Sequence, residues 1–339
     1  MFEPQFTYTD KIVNYIAKIA SGKEVISNAK IIPIYDTKLK QDALIKSSHY
    51  STSIEGNPLN LDEVKTLIKN NQEPTTKAEQ EVLNYFNVLN HLNKYLDKNI
   101  ISNTILSIHK DLTKDLLSKP EYEGKFRDTR VVIGNLQTKE INYVPPDAYK
   151  IPYLVDELLD WLNNSTDDIY PVIIAGIIHY EIVRIHPFID GNGRTSRLMA
   201  TLILSIHKFN INNYFTLDEY YNQNRQDYVD ALKSADKNHD LTNWLEYFCQ
   251  GVLYSIDKVK SEVLNLAQIT SKYDNTIKLT PHEISVLNLL EEKKYIQNKD
   301  IQKKLNISPQ ASYKIIKKLK NKELIESRGK GRNTEYILK

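Results

Sequence analysis

The chain has 339 residues with 45 Lys+Arg, 43 Asp+Glu, 41% hydrophobic and 26% charged residues, the make-up of an ordinary globular protein of two or three domains. Cys249 is the only cysteine, which excludes a disulfide framework or a cysteine metal cluster, and the opening MFEPQFTYTDK lacks the basic, apolar, small-residue order of a signal peptide. The longest apolar stretch, Pro171 to Ile185, contains His179, Glu181 and Arg184 and is too short and too polar to span a bilayer, so the expectation is a cytoplasmic protein with no membrane partner.

Taken in chain order, apolar residues recur at helical spacing almost throughout, as in VLNYFNVLNHLNKYL (82–96) and IPYLVDELLDWLN (151–163). Asn60 ahead of LDEVKTLIK, and Asp168 ahead of Pro171, predict helix starts. Residues 126–146, FRDTRVVIGNLQTKEINYVPP, break the pattern: a β-branched run, a Gly134-Asn135 turn signal and a second extended stretch predict a β-hairpin. Helical periodicity resumes to about residue 273, where KYDNT predicts a linker. Charge then changes sign. Residues 278–339 hold 15 Lys+Arg against 7 Asp+Glu, a net of +8, while the remainder nets −6. This basic segment predicts three helices (HEISVLNLLEEKK, KDIQKKLN and PQASYKIIKKLKNK) and two short strands around the tip Arg328-Gly-Lys-Gly-Arg332. That is the pattern of a winged helix-turn-helix.

Two of the chain's 10 glycines fall within HPFIDGNGRTSR, residues 186–197, between two stretches apolar nearly all round. Those stretches predict buried helices, and the motif predicts the turn between them, running into the first turn of the second. A helix start offers unpaired N–H groups and positive dipole to an anion. Gly191 and Gly193 let backbone amides approach without an intervening Cβ. Arg194 and Arg197 share one helix face and can grip different phosphates. Asp190 is a hard carboxylate of the kind that holds Mg²⁺ beside phosphate oxygens. His186 is the one group there able to accept a proton near pH 7. Together they predict a site for a nucleoside triphosphate with Mg²⁺ and a base beside it.

The stretch resembles the H-P-F-x-D-G-N-G-R-x-x-R signature of Fic-domain proteins at every specified position, and the resemblance covers roughly residues 45–260. It implies transfer of AMP from ATP to a Tyr, Ser or Thr hydroxyl of a target protein. His186 would then be the base, Asp190 the Mg²⁺ ligand, and Gly191, Asn192, Gly193, Arg194, Thr195, Ser196 and Arg197 the phosphate cradle. The hairpin resembles the family's flap, with Val131, Val132, Ile133 and Gly134 edging the nucleotide pocket. NRQDYVDALKSADKN resembles the segment over adenine, where Tyr228 would stack on the base or pack in the core; Val229 and Asp236 depart from the family's residues. HYSTSIEGNPL (49–59) matches an inhibitory pattern through Ser51, Glu55 and Gly56, which by local chemistry alone reads as a cap and end of a short helix. Inhibition would have the Glu55 carboxylate reach Arg197 in place of a γ-phosphate.

The fold expected is therefore mostly α: a Fic-type helical bundle with a β-hairpin flap, plus a C-terminal winged helix-turn-helix. Its expected divisions are residues 1–110 with the inhibitory motif, 111–273 as catalytic core and 278–339 as winged helix. Within enzymes, the same site could remove AMP, or take UTP or a phosphocholine carrier as donor. The alternative of a different class is a transcriptional regulator, its Lys314, Lys317, Lys318, Lys320 and tip binding DNA and its body sensing a nucleotide; a protein-docking winged helix is as compatible with these lysines. The oligomeric state is left open, a homodimer included.

Overall fold

The computed structural model describes residues 2–29, 31, 33–96, 99–135, 140–164, 168–209, 214–274, 279–293, 295–329, 331 and 334–339. The fold is mostly helical, a helical bundle with a β-hairpin followed by a C-terminal winged helix-turn-helix, as the sequence predicts. Its helices in chain order are α1 (Asp10–Asn28), α2 (Pro33–Ile54), α3 (Leu61–Lys69), α4 (Lys77–Asn90), α5 (Ser102–Thr113), α6 (Ile151–Asn164), α7 (Pro171–Ile185), α8 (Asn192–Ile206), α9 (Leu217–Gln223), α10 (Arg225–Asn238), α11 (Thr242–Asp274), α12 (Pro281–Lys293), α13 (Asn298–Leu305) and α14 (Pro309–Asn321). The strands are β1 (Ile133–Asn135), β2 (Glu140–Tyr143), β3 (Ile296–Gln297), β4 (Ile325–Arg328) and β5 (Glu335–Leu338).

Two compact units emerge, residues 1–27 with 42–259 and residues 28–41 with 260–339. This division differs from the expected one. No boundary falls near residue 110, because the Asn84 carboxamide of α4 donates to the Leu112 and Lys114 carbonyls at the end of α5. The later boundary falls inside α11, which continues through Lys272 and Tyr273 rather than giving way to a linker there; Asn275 and Thr276 lie outside the described residues.

In the first unit, local sequence sets helix starts as expected. Asn60 accepts from the Asp62 and Glu63 amides at 3.0 and 3.1 Å while the Glu63 carboxylate accepts from the Asn60 N–H at 2.8 Å, a complete capping box. At α7 the residue before the helix is Tyr170 with Pro171 in the first turn, and the Asp168 carboxylate makes no cap. The α7–α8 pair forms the core. Ile173, Ile177, Ile178, Leu198, Met199 and Leu202 are sealed from solvent. At Gly176 a Cβ would lie 2.8 Å from Leu245 of α11, and the Gly176 carbonyl accepts from Trp244 Nε1 at 2.8 Å. This close approach fixes α7, and with it the turn at its C-terminal end.

The hairpin pairs β1 with β2 antiparallel, Asn135 opposite Glu140 and Gly134 opposite Ile141. Gly134 and Asn135 thus lie in the strand rather than in a turn, and residues 136–139 lie outside the described residues. In the second unit, α12, α13 and α14 pack with a three-stranded sheet of order β3-β5-β4 around Leu287, Leu290, Ile301, Ile316, Leu319 and Ile325. The two-residue β3 escapes the sequence pattern because it is too short to carry an alternation. Among the described residues no helix is long and apolar enough to cross a membrane.

Candidate active site

The turn between α7 and α8 begins at His186, which closes α7 in the left-handed region (φ 50°, ψ 59°). Its ring Nδ1 lies 3.3 Å from the Val183 carbonyl. A carbonyl can only accept, so Nδ1 carries the proton and Nε2 keeps its lone pair. Burial pushes the ring's pKa down to about 4, so the imidazole is neutral, and able to take a proton, at neutral pH.

The turn is braced from outside by residues that the sequence reading did not single out. Arg127, only 2% exposed, lies at the base of the hairpin. Its Nε donates to the His186 carbonyl at 2.8 Å, its Nη1 to the Thr129 carbonyl at 2.8 Å and its Nη2 to the Pro146 carbonyl at 2.6 Å. Its backbone N–H donates to the Pro187 carbonyl at 2.9 Å. One buried cation therefore ties both legs of the hairpin to the residue carrying the base. His109 of α5 stacks on Phe188 at 3.6 Å. Its Nδ1 accepts from the Gly124 N–H and its Nε2 donates to the Asp190 carbonyl, both at 3.0 Å. Burial holds this ring neutral too, with its pKa lowered to about 4.

Gly191 sits at φ +80°, and a Cβ there would lie 3.1 Å from Thr113 Cγ2 and 3.5 Å from His109 Nε2. The first hydrogen bond of α8 runs from the Thr195 N–H to the Gly191 carbonyl, so the N–H groups of Asn192, Gly193 and Arg194 have no partner within the helix. The Asn192 side chain is engaged within the turn, its two arms on the backbone of Phe188; any anion contact from this residue falls to its backbone. The Ser196 hydroxyl donates to the Gly193 carbonyl, and Thr195 is sealed from solvent. Neither side chain faces outward. The Asp190 carboxylate is 60% exposed, accepting from the Gly191 N–H at 2.6 Å and facing Arg194 Nη2 at 3.3 Å.

Both arginines are buried and paired. Arg194 meets Glu81 of α4. Arg197 Nε donates to Ser51 Oγ at 2.7 Å, and its Nη2 donates to the Ser51 carbonyl at 2.9 Å and to Glu55 Oε1 at 2.8 Å. Arg197 overcomes the burial that would raise the Glu55 pKa and holds it below the ordinary carboxylate range. Ser51 is therefore no N-cap; it lies in the last turn of the 22-residue α2. Gly56, at φ +94°, ends that helix as expected. The following Asn57 donates to Glu81 Oε2 at 2.7 Å. The segment 51–57 thus engages Arg197 directly and Arg194 through Glu81. Gly193 makes room for it, since a Cβ there would fall 2.3 Å from Glu55 Oε1.

Along the hairpin, Val132 and Gly134 are exposed and Val131 and Ile133 half-buried, while the Tyr143 hydroxyl donates to the Arg184 carbonyl at 3.0 Å. Tyr228 does not offer a face for a base. It is 4% exposed, stacked on Tyr221 at 4.6 Å, with its hydroxyl 2.8 Å from His179 Nε2. Aromatic packing among Tyr221, His179 and Trp244 has claimed it. Asp236 accepts from the Tyr180 hydroxyl at 2.7 Å.

A family model described as "Fic/DOC family" matches residues 95–204, and one described as "Winged helix-turn-helix DNA-binding" matches residues 279–326. The chain thus carries a region similar to the Fic/DOC family, followed by one similar to winged helix-turn-helix domains. The chain is similar to proteins named "Protein adenylyltransferase Fic" from Drosophila willistoni and Drosophila grimshawi, each 30% identical over 173 residues and 49% of this chain. The chain spans only about a third of the length of these relatives, 33% and 34%. Among solved structures, a Fic family protein from Desulfovibrio desulfuricans aligns over 100% of this chain and 98% of its own, with TM-score 0.67 and 24% identity. Fic-1 from C. elegans aligns over 77% of this chain and 73% of its own, with TM-score 0.62 and 23% identity. At these identities the two structures establish a shared fold.

Proposed function

We propose that the protein is an autoinhibited protein adenylyltransferase, transferring AMP from ATP to a Tyr, Ser or Thr hydroxyl of a target protein and of itself. One observation carries the reading. The open N-terminus of α8, flanked by a neutral His186 and by Arg197, holds the Glu55 carboxylate where a phosphate oxygen would otherwise meet that guanidinium. A triphosphate suits this site on its own terms. Gly193 has no Cβ to crowd the position that Glu55 Oε1 holds beside Arg197, the first amides of α8 are unpaired within the helix, and Arg194 Nε is buried with no hydrogen-bond partner among the described residues.

In this reading His186 Nε2 takes the proton of the target hydroxyl as its oxygen bonds to the α-phosphorus and the bond to pyrophosphate breaks. The Gly191, Asn192 and Gly193 amides hold the α- and β-phosphates, and Arg194 and Arg197 grip the β- and γ-phosphates. Asp190 would hold Mg²⁺, which screens phosphate charge when bound. Among the described residues there is no group of three or more His, Cys, Asp or Glu that could hold a metal ion. The exposed edge at Val132 and Gly134 would align the target segment by main-chain pairing. Glu55 denies the γ-phosphate its clamp and turns the α-phosphorus from the attacking oxygen.

The test is labelled-AMP incorporation by wild type, Glu55→Gly and Glu55→Gly with His186→Ala. Glu55→Gly should raise incorporation on the order of 10²-fold, the cost of a misplacement of about 1 Å, and loss of His186 should lower it again by about 10²–10⁴-fold. Equal incorporation by wild type and Glu55→Gly would sink autoinhibition. A gain that survives loss of His186 would sink the mechanism.

A second reading, compatible with the first, concerns the winged helix. On α14, Gln310, Tyr313, Lys314 and Lys317 are all exposed, and their spacing puts them on one face of the helix that would enter a major groove. Lys318 and Lys320 are exposed beside them, whereas Lys330 and Arg332 of the tip lie outside the described residues. The full chain should bind duplex DNA with an affinity that falls as salt rises, and Lys317→Gln should reduce the logarithmic salt slope by about 1. Absence of binding at low salt would leave protein docking as the account of this face.

A further inference from the structure

Arg197 is 3% exposed, so its charge needs a partner at all times. Glu55 cannot be a permanent one if catalysis requires it to leave, and its side chain is already 35% exposed to water. A second carboxylate lies on the other side of the guanidinium. Asp218, in the first turn of α9 and 4% exposed, has Oδ1 3.4 Å from Arg197 Nε. The fully buried Tyr85 of α4 donates its hydroxyl to the same oxygen at 3.3 Å, and Ser47 and Ser51 of α2 also hydrogen-bond this carboxyl. Asp218 is thus held from two further helices and is buried. The two carboxylates divide the guanidinium between them: Asp218 and Ser51 take the inner Nε, Glu55 the outer Nη2.

We infer, resting on the reading of Arg197 as a γ-phosphate clamp, that Asp218 is a positioning residue that keeps Arg197 neutralised and aimed after Glu55 has left. An uncompensated buried charge is among the costliest changes a protein can suffer. Without Asp218, release of Glu55 would leave such a charge, and Arg197 would turn toward water rather than wait for phosphate. With Asp218 in place, Glu55 exchanges for a phosphate oxygen at a guanidinium whose inner half does not move. The two acids therefore substitute for one another in stability and not in function.

Two measurements on the full chain test this. The first is urea unfolding of Glu55→Gln, Asp218→Asn, the double variant and the double variant with Arg197→Gln added. Each single change should lower the midpoint modestly, the double by clearly more than the sum, and Arg197→Gln should recover most of the loss; residues sharing one partner couple in this way. Should the double variant fail to fold, a folded triple variant carries the same conclusion. Additive losses, or a triple variant no better than the double, would overturn the inference. The second is the affinity for ATP relative to ADP in Glu55→Gln with and without Asp218→Asn, at a temperature where both are folded. Loss of Asp218 should reduce the preference for ATP about tenfold, a 1.4 kcal/mol change, with ADP affinity unchanged; a merely structural role would weaken both equally, and that result would overturn it. A non-additive stability cycle in chains with no preference for ATP would remove the clamp reading and leave the counter-ion standing.

Discussion

Two turns in this molecule set glycine at positive φ beside arginine, and they differ in everything else. At the start of α8, Gly191 has φ +80° and Arg194 and Arg197 are buried, each facing carboxylates. In the wing, Gly329 and Gly331 have φ +84° and +73° and Arg328 stands exposed. Buried cations must be neutralised by groups of fixed geometry, so an arriving anion has to displace one of them, and size and charge of the newcomer both matter. Exposed cations are neutralised by salt, so any polyanion exchanges with counter-ions and the contact is strong only when many act together. On the proposed function, the first arrangement selects a triphosphate and is switched by one carboxylate. The second can supply only general attraction, leaving discrimination to the side chains of α14.

The contrast breaks most sharply at the arginines themselves. Arg127→Met should destabilise the first unit by about 3 kcal/mol or more, because the His186, Thr129 and Pro146 carbonyls lose charge-assisted donors where water does not easily replace them. It should also abolish AMP transfer in the Glu55→Gly background, since His186 and the hairpin lose their common brace. Arg328→Met should change stability by less than about 0.5 kcal/mol, as exposed substitutions do. Urea unfolding of the two variants gives the comparison directly. Equal losses would mean that burial does not distinguish the two turns.

What could be read in the sequence follows the same divide between local and distant chemistry. The capping box of Asn60 and Glu63, the α7–turn–α8 arrangement and the three helices of the basic segment were legible because each rests on neighbours a few residues apart. The meeting of Glu55 with Arg197 was expected only through a family resemblance, since no spacing rule joins residues so far apart. Glu81, Arg127, His109 and Asp218 carried no signal of their own. An acid or a histidine on an amphipathic helix looks the same whether it faces water or the far side of an arginine, and only the packing of α4, α5 and α9 decides. Tyr228 is the converse case: either side of its core-or-site ambiguity fitted α10, and stacking on Tyr221 resolved it toward the core. The hairpin turn was misplaced by local chemistry, because Gly134-Asn135 is a good turn pair and pairing with Glu140 and Ile141 still draws it into the strand.

The finest comparison is between the glycines. A methyl group at either Gly191 or Gly331 forces a residue with a Cβ into the left-handed region, which costs about 1 kcal/mol in itself. At Gly331 that is the effect expected, because an added Cβ would meet nothing within 4 Å among the described residues. At Gly191 the methyl would also press on Thr113 and on His109, whose ring is fixed by the Gly124 N–H, the Asp190 carbonyl and the face of Phe188. Neither neighbour can yield without breaking those contacts, so Gly191→Ala should cost a further 1–2 kcal/mol or so, the usual range for overpacking. Thermal unfolding of Gly191→Ala and Gly331→Ala measures the difference, and both should keep their helical content. Equal shifts would show that backbone conformation alone explains the glycines at both turns. A larger shift at Gly191, together with weaker ATP binding in the Glu55→Gly background, would tie the tight packing beneath the turn to the proposed triphosphate site.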